Sequence, residues 1–286
     1  MTTTVNDVSN KNVIQWCPGC GDFGVLMSIK QALAGLNLNP KDVVIASGIG
    51  CSGKMPHYVK TYGLESIHGR SLAAATGVQL ANPRLTVIAV GGDGDGYGIG
   101  LNHFIQSVRR NVKITYLVHN NMVYGLTKGQ TAPTALKGTK TSSTPHGSIE
   151  MPINPIALAI AATGTFVARG FAGNLPHLSN LIKAGIQHKG FALIDIFQPC
   201  VTYNHDQTFD FYRQRTYDLQ AQNWDTANHM EAYKKAWEWG DKIPIGIFYK
   251  EERPTYSDEL PQDKDLPVAL QNIDNVDITP LLNKYY

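Results

Sequence analysis

Long apolar runs are missing from this sequence. Nowhere do about 18 consecutive apolar residues occur, which excludes a membrane-spanning helix. The opening stretch, MTTTVNDVSNKN, is polar and lacks the apolar core of a secretory signal, so the expected location is cytoplasmic. Charge of one sign is lacking too. Lys and Arg number 25 against 23 Asp and Glu, and a formal net charge of +2 is too small to imply nucleic-acid binding, which shows as clustered basic residues. Cysteine is scarce, with four in 286 residues: Cys17, Cys20, Cys51 and Cys200. In a reducing cytosol their even number does not argue for disulfides, and metal or cluster ligation is the better reading. There is no internal repeat and no low-complexity tract.

What is present is an ordinary globular composition, 43% hydrophobic, on a chain long enough for one large α/β domain with an appendage or two small domains. Short β-branched runs at 43–46, 85–90, 112–118, 165–168 and 191–197 read as buried strands. Between them lie helical patterns at 24–36, 72–81, 101–109, 155–162 and 178–188, with Pro155 suited to a first helical turn. Such alternation predicts an α/β fold, a mostly parallel sheet with helices on both faces. Ligands of such sheets sit at the carboxyl ends of the strands. After about residue 215 the character changes: 225–241 is polar and helix-prone, and a segment rich in Pro, Asp and Tyr follows. The expected organisation is a ligand-binding domain over 1–215 and a helical or extended arm over 216–286, docked on the body or on a partner.

The strand at 85–90 runs into Gly91-Gly92-Asp93-Gly94-Asp95-Gly96-Tyr97-Gly98, and a helix pattern follows. A strand stopping at glycines lets the backbone approach a phosphate, and the next helix offers unpaired N–H groups and a positive dipole end. Asp93 supplies a hard carboxylate able to hold Mg²⁺ between protein and phosphate oxygens. The next strand ends in His119-Asn120-Asn121-Met122-Val123-Tyr124-Gly125, so Asn121 and the Val123 carbonyl can complete the oxygen shell. An EF-hand fails on the letters, because Tyr97 and Phe104 stand where acids are required. A dinucleotide fingerprint is absent here. Gly48, Gly50 and Gly53 have its spacing, but Pro56 and His57 follow where a long helix should run. Glycines that only turn the chain remain the plain alternative.

Cys17-Pro-Gly-Cys20 forms a CxxC around a turn, and Cys51 and Cys200 each follow a predicted strand. All four can meet at one sheet edge. The chemistry alone leaves Zn²⁺ and an iron–sulfur cluster both open. A thioredoxin-like redox pair is disfavoured because no strand precedes the CxxC.

GDG followed by Asn near the end of the next strand is similar to the thiamine diphosphate motif. The surrounding GGDGDGYGIGLNHFIQSVRRNVKITYLVHNNMVYGLTKGQTAPT, with CPGCG, GIGCSGK and QPCVTYN, closely resembles β subunits of 2-oxoacid:ferredoxin oxidoreductases, especially the 2-oxoglutarate type, over residues 13–215. The resemblance implies thiamine diphosphate held through Mg²⁺ on Asp93, Asn121 and the Val123 carbonyl, and one 4Fe–4S cluster on Cys17, Cys20, Cys51 and Cys200. It implies a reversible, coenzyme A-dependent oxidative decarboxylation that reduces ferredoxin. It also implies a companion α subunit, most often in an (αβ)₂ heterotetramer. That subunit would supply coenzyme A contacts and the glutamate that activates the cofactor, for which this chain shows no local substitute. The expected substrate is a 2-oxoacid, 2-oxoglutarate in the first place, with pyruvate or a broad range left open. The candidate cofactor contacts are Gly50, Ser52 and Gly53, Gly92, Asp93, Gly94 and Asp95, and Asn121, Val123, Tyr124, Gly125, Leu126 and Thr127. Lys54 is the candidate partner of the substrate carboxylate. His68, with Arg70, is a candidate contact to diphosphate or substrate. Leu126 is the residue expected to press the cofactor into its bent shape. His119 reads as a cap or filler, and Arg109-Arg110 as completing a helix dipole. Two other readings stay open: a non-redox thiamine decarboxylase with a structural Cys₄ zinc site, and a zinc-stabilised scaffold.

Overall fold

The computed structural model describes residues 2–260, 266–274 and 276–286. The chain begins with helix α1 (Asp22–Gly35) and continues through β1 (Val43–Ser47), β2 (Tyr62–Glu65), α2 (Ser71–Ala81), β3 (Thr86–Gly92), α3 (Leu101–Arg110) and β4 (Thr115–Asn120). A hairpin of β5 (Val123–Tyr124) and β6 (Gln130–Thr131) follows, then α4 (Pro155–Ala161), β7 (Phe166–Phe171), α5 (Leu175–Gln187) and β8 (Ala192–Phe197). The last third adds α6 (Phe209–Arg215), β9 (Thr216–Asp218), α7 (His229–Lys235), β10 (Ile243–Lys250) and the single turn α8 (Thr279–Leu282).

Among the described residues the main sheet runs β2-β1-β3-β4-β8-β7-β10-β9. Every pairing from β2 to β7 is parallel, and only β10 against β7 is antiparallel. The mostly parallel sheet covered on both faces is the expected fold. Its inner strands are largely apolar because both faces are covered. Alternate residues of β4 divide between the two cores: Tyr116 and Val118 join Leu72, Phe104 and Ile156 of α2, α3 and α4, while Leu117 joins Val25, Ile29 and Leu33 of α1 and Leu178 of α5. Each of these fully buried aliphatic side chains contributes roughly 1.5–3 kcal/mol.

The helix starts follow local chemistry. Asn154 accepts from the Ala157 N–H, with Pro155 at the first position of α4, and Asn174 does the same for His177 at the start of α5. α3 ends on Arg109 and Arg110, with Asn111 in the left-handed region at φ 51°.

Five strands, β2, β5, β6, β9 and β10, lie outside the sequence reading. The edge strand β2 is exposed along its length and carries no apolar run to betray it. β10 is almost wholly buried and pairs with β7, so residues past 215 extend the sheet itself before trailing away. The boundary expected after residue 215 falls at the end of α6, and residues 261–265 and 275 of the expected arm lie outside the described residues. Among the described residues no helix is long and apolar enough to cross a membrane.

The chain reverses direction across the sheet at β1. From there it steps outward to β2 and then returns to β3 on β1's other side. This switch point opens a crevice at the carboxyl ends of β1 and β3, the position at which such sheets bind ligands.

Candidate active site

The cleft at that switch point is walled by three strand ends. β1 delivers the loop with Gly50, Cys51 and Ser52; β3 delivers Gly92, Asp93, Gly94 and Asp95; β4 delivers Asn121, Val123, Tyr124, Gly125, Leu126 and Thr127. His68, from the turn before α2, closes one side. Lys54 and Gly53 are not in its wall. Lys54 sits on the short helical turn Ser52–His57, where its Nζ donates to Gln15 Oε1 at 3.1 Å. Gly53 is a packing residue, since a Cβ there would lie 2.4 Å from the Gly48 carbonyl oxygen. The turn is short, so the Gly48–Gly50–Gly53 spacing leads to no long helix, as the dinucleotide reading would need.

The two carboxylates of the GDGDG segment have different surroundings. Asp95 Oδ1 accepts from the N–H groups of Ile49 at 3.0 Å and Gly69 at 2.7 Å, and lies 2.9 Å from His68 Nδ1. It thereby ties the loops after β1, β2 and β3 together. Asp93 is 2 % exposed and takes a hydrogen bond from the Thr134 hydroxyl. Burial pushes its carboxyl up to about 7; nearby Asp195 adds to this and the Thr134 bond opposes it. A buried carboxylate at the mouth of a glycine loop suits a divalent cation, which would restore its ionised form.

Asn121 is brought beside Asp93 by the register of the sheet, which pairs Gly92 with His119. Met122, at φ 62°, turns the chain sharply after it. The Asn121 Nδ2 donates to Gln198 Oε1 at 2.8 Å and its Oδ1 accepts from the Val123 N–H at 3.1 Å. Glycine is required below: a Cβ on Gly94 would come 2.3 Å from the Tyr124 ring, whose hydroxyl donates to the Gly94 carbonyl at 3.0 Å. Leu126 is 48 % exposed and stands at the open side, while the Thr127 hydroxyl donates to Gln130.

The four cysteines lie around Cys51, which lines this cleft. Cys17 and Cys20 flank a turn closed by the Cys20 N–H to Cys17 carbonyl bond of 3.0 Å, and the Gly21 N–H ties that turn to Pro199 at 3.1 Å. Cys51 interacts electrostatically with each of the other three thiols. Burial, with Asp22, Cys200 and Cys17, pushes the Cys51 thiol up to about 12 against the pull of Lys54. Cys20 is raised further by the same burial and by Asp22. Both raised groups are therefore neutral thiols at ordinary pH, and a bound cation would be needed to favour their thiolate forms. Among the described residues no group of three or more His, Cys, Asp or Glu side chains is close enough to hold a single ion. A Cβ on Gly125 would lie 3.6 Å from Cys200 Sγ and 3.9 Å from Cys51 Sγ, so this cleft-lining backbone position borders both thiols.

Three residues of the site were not singled out by the sequence. Gln198 lines the cleft and joins its two halves, donating to Cys20 Sγ at 3.2 Å while accepting from Asn121. His119 also lines the cleft, where a cap or filler was expected. Its Nδ1 is 2.5 Å from Asp22 Oδ1, and its buried Nε2 has no protein partner. Thr134 closes the TAPT end of the motif stretch, and only the packing reveals its bond to Asp93.

This fold, with a carboxylate and an amide at adjacent strand ends beside a glycine loop, defines a thiamine diphosphate-binding enzyme domain. The family model for the thiamine pyrophosphate enzyme C-terminal TPP binding domain matches residues 48–196, and that for the C-terminal part of the pyruvate ferredoxin oxidoreductase beta subunit matches 200–265. The chain is 48% identical over 283 residues to the beta subunit of 2-oxoacid:ferredoxin oxidoreductase 1 of Aeropyrum pernix, covering 93% of this chain and 89% of that protein. It is 51% identical over 249 residues to the beta subunit from Saccharolobus solfataricus, covering 83% and 82%. The solved structure of 2-oxoglutarate:ferredoxin oxidoreductase from Magnetococcus marinus, with 2-oxoglutarate, coenzyme A and succinyl-CoA bound, superposes with a TM-score of 0.91 at 37% identity, covering 99% of this chain and 96% of that one. The chain belongs to the β subunits of the 2-oxoacid:ferredoxin oxidoreductases.

Proposed function

We propose that this β subunit works with an α partner in the coenzyme A-dependent oxidative decarboxylation of a 2-oxoacid, 2-oxoglutarate first, passing two electrons to ferredoxin one at a time. The observation that carries the reading is that the cleft holding Asp93 and Asn121 is bordered by Cys51 and, beside Gly125, Cys200, while Cys51 also interacts electrostatically with Cys17 and Cys20. When bound, thiamine diphosphate supplies a thiazolium that accepts the electron pair released as carbon dioxide departs. Asp93, Asn121 and the Val123 carbonyl hold Mg²⁺, and the glycine backbone at 92–94 and the Thr127 hydroxyl receive the diphosphate. His68 would face the same anionic group, and Leu126, half-exposed in the cleft wall, would contact the cofactor. Lys54 turns from Gln15 to the substrate carboxylate.

Cys17, Cys20, Cys51 and Cys200 hold one 4Fe–4S cluster. Cys51 interacts electrostatically with each of the other three, and four cysteines are the ligand set such a cluster takes. The α subunit brings the activating glutamate and the coenzyme A contacts. The C-terminal segment, with Ile273, Leu281 and Tyr285 exposed, serves as the arm that docks on it, in a cytoplasmic heterotetramer. Anaerobic co-expression with the α subunit, followed by a visible spectrum and assays for iron, zinc and sulfide, tests this. A brown protein that bleaches on adding 2-oxoglutarate and coenzyme A is expected, with pyruvate as the comparison substrate. A colourless protein containing zinc and no iron would remove the electron-transfer reading and leave only the thiamine site.

A further inference from the structure

A second chamber of about 240 Å³ opens at the carboxyl ends of β4, β8 and β7, on the far side of β4 from the cofactor cleft. Its walls are largely apolar, including Met122, Leu136, Ile153 and Phe197, and two tryptophans stand at its rim: Trp237, 56 % exposed, and Trp239, 37 % exposed. One cation lies at the bottom. Arg169 is 3 % exposed, and its guanidinium carbon sits 5.1 Å from the Phe197 ring centroid and 5.3 Å from that of Phe248.

Arg169 stands in register with Asp195 on the neighbouring strand and forms an ion pair with it, yet this contact leaves guanidinium donors unfilled. Arg169 Nε is 3.6 Å from Asp195 Oδ2, too long for a hydrogen bond, and both Nε and Nη1 are buried without an acceptor. Asp195 is already engaged, accepting from the Tyr97 hydroxyl at 3.1 Å and from Asn120 Nδ2 at 3.2 Å. A buried guanidinium with free donors is costly unless an acceptor meets it. Its planar fork matches a carboxylate better than any other small group. The space suits the rest of such a molecule, since an apolar cavity of about 150 Å³ already holds benzene.

We propose that this chamber is a binding site for a small organic acid with an apolar or aromatic body, its carboxylate on Arg169 and its body against Phe197, Trp237 and Trp239. The site is separate from the cofactor cleft, and the inference does not depend on how that cleft is used. The neighbouring side chains give it a link to the cleft: Asp195 holds Asn120, whose Oδ1 lies 3.1 Å from the Thr134 hydroxyl, and that hydroxyl also reaches Asp93.

The test uses the assembled enzyme and two probes, phenylacetate and its neutral analogue 2-phenylethanol, titrated against tryptophan fluorescence and checked by ligand-observed NMR. Phenylacetate is expected to bind saturably and at least about tenfold more tightly than the alcohol. Arg169→Met should abolish that preference, while Trp237→Ala at the exposed rim should weaken both probes alike. Should Arg169→Met fail to fold, Ala236→Leu, which adds volume inside the chamber with the guanidinium in place, should block both probes. The proposal is overturned if no saturable binding occurs up to on the order of 10 mM. It is equally overturned if the alcohol binds as well as the acid, or if Ala236→Leu leaves binding untouched.

Discussion

Asn120 and Asn121 are consecutive, yet they serve chambers of opposite character. Asn121 faces a cleft whose floor is glycine backbone, with two carboxylates and the cysteine edge close by; Asn120 faces a chamber of aromatic and aliphatic walls around one guanidinium. The first is tightly built. Added Cβ atoms on Gly94 and Gly96 would come 2.3 Å from the Tyr124 ring and 2.0 Å from the Tyr116 hydroxyl. The second holds about 240 Å³ of space. One is made by local residue order, the other by strands distant in sequence, and successive residues at a strand end point to opposite sides. The end of β4 therefore carries both, and substitutions on its two sides should have separable effects.

The largest expected effect lies on the cleft side. Asp93→Ala should weaken the binding of thiamine diphosphate with Mg²⁺ at least about 100-fold, measured by fluorescence or calorimetric titration of the apoprotein. Phenylacetate binding in the other chamber should change little. A loss below about threefold would remove Asp93 from the metal site.

The pH dependence follows from the same carboxylate. Its folded value, about 7, lies above the ordinary 3.8, so the metal-free fold favours its protonated form. Rising pH between those two values takes stability away from the metal-free chain through this group, and Mg²⁺ binding must expel the proton. Cofactor affinity should therefore fall by up to about tenfold per unit below pH 7 and level off above it. Affinity that is flat from pH 6 to 8 would show that Asp93 is ionised before the metal arrives.

A smaller effect separates the tight floor from the roomy chamber. Gly96→Ala should destabilise the chain by about 1–3 kcal/mol in urea unfolding, because the added methyl meets the buried Tyr116 hydroxyl. Trp237→Ala, at the exposed rim of the chamber, should cost less. Equal costs would mean that the chamber is as closely packed as the cleft.

The contrast also explains what was legible in the sequence. GDGDG and NNMVYG are short strings at the ends of neighbouring strands, which the sheet register sets side by side, while CPGC lies before α1 and is tied in through the Gly21 to Pro199 bond. Asn121 meets Asp93 because β3 and β4 are neighbours, which strand–helix alternation makes the default. Gln198 was missed although it stands two residues before Cys200, because a glutamine at a strand end has no signature of its own. Asp22 and His119 lie 97 positions apart and meet only through packing. β10 was hidden by Pro244 and Gly246, which interrupt an otherwise alternating Ile243-Pro-Ile-Gly-Ile-Phe run. The second chamber did leave a trace: Arg169 and Asp195 are the charged residues within FVARGF and ALIDIF, two otherwise apolar strands. A charge inside a strand buried on both faces calls for a partner, and the pairing of β7 with β8 supplies it.

Thr134 carries the smallest predicted effect and the sharpest test of whether the chambers are independent. Its hydroxyl lies between Asp93 Oδ2 and Asn120 Oδ1, and its single hydrogen can serve only one acceptor at a time. With Mg²⁺ holding Asp93, the hydroxyl is freer to turn to Asn120, and so toward Asp195 and Arg169. Thr134→Val keeps the volume and deletes the donor. It should cost about 1 kcal/mol of stability and weaken Mg²⁺-dependent cofactor binding by several-fold, up to about tenfold. If the hydroxyl is the link, the variant should also erase any influence of cofactor on phenylacetate affinity, because coupling between two sites is reciprocal and needs a physical carrier. A coupling that survives the substitution would have to travel through the β4 backbone instead.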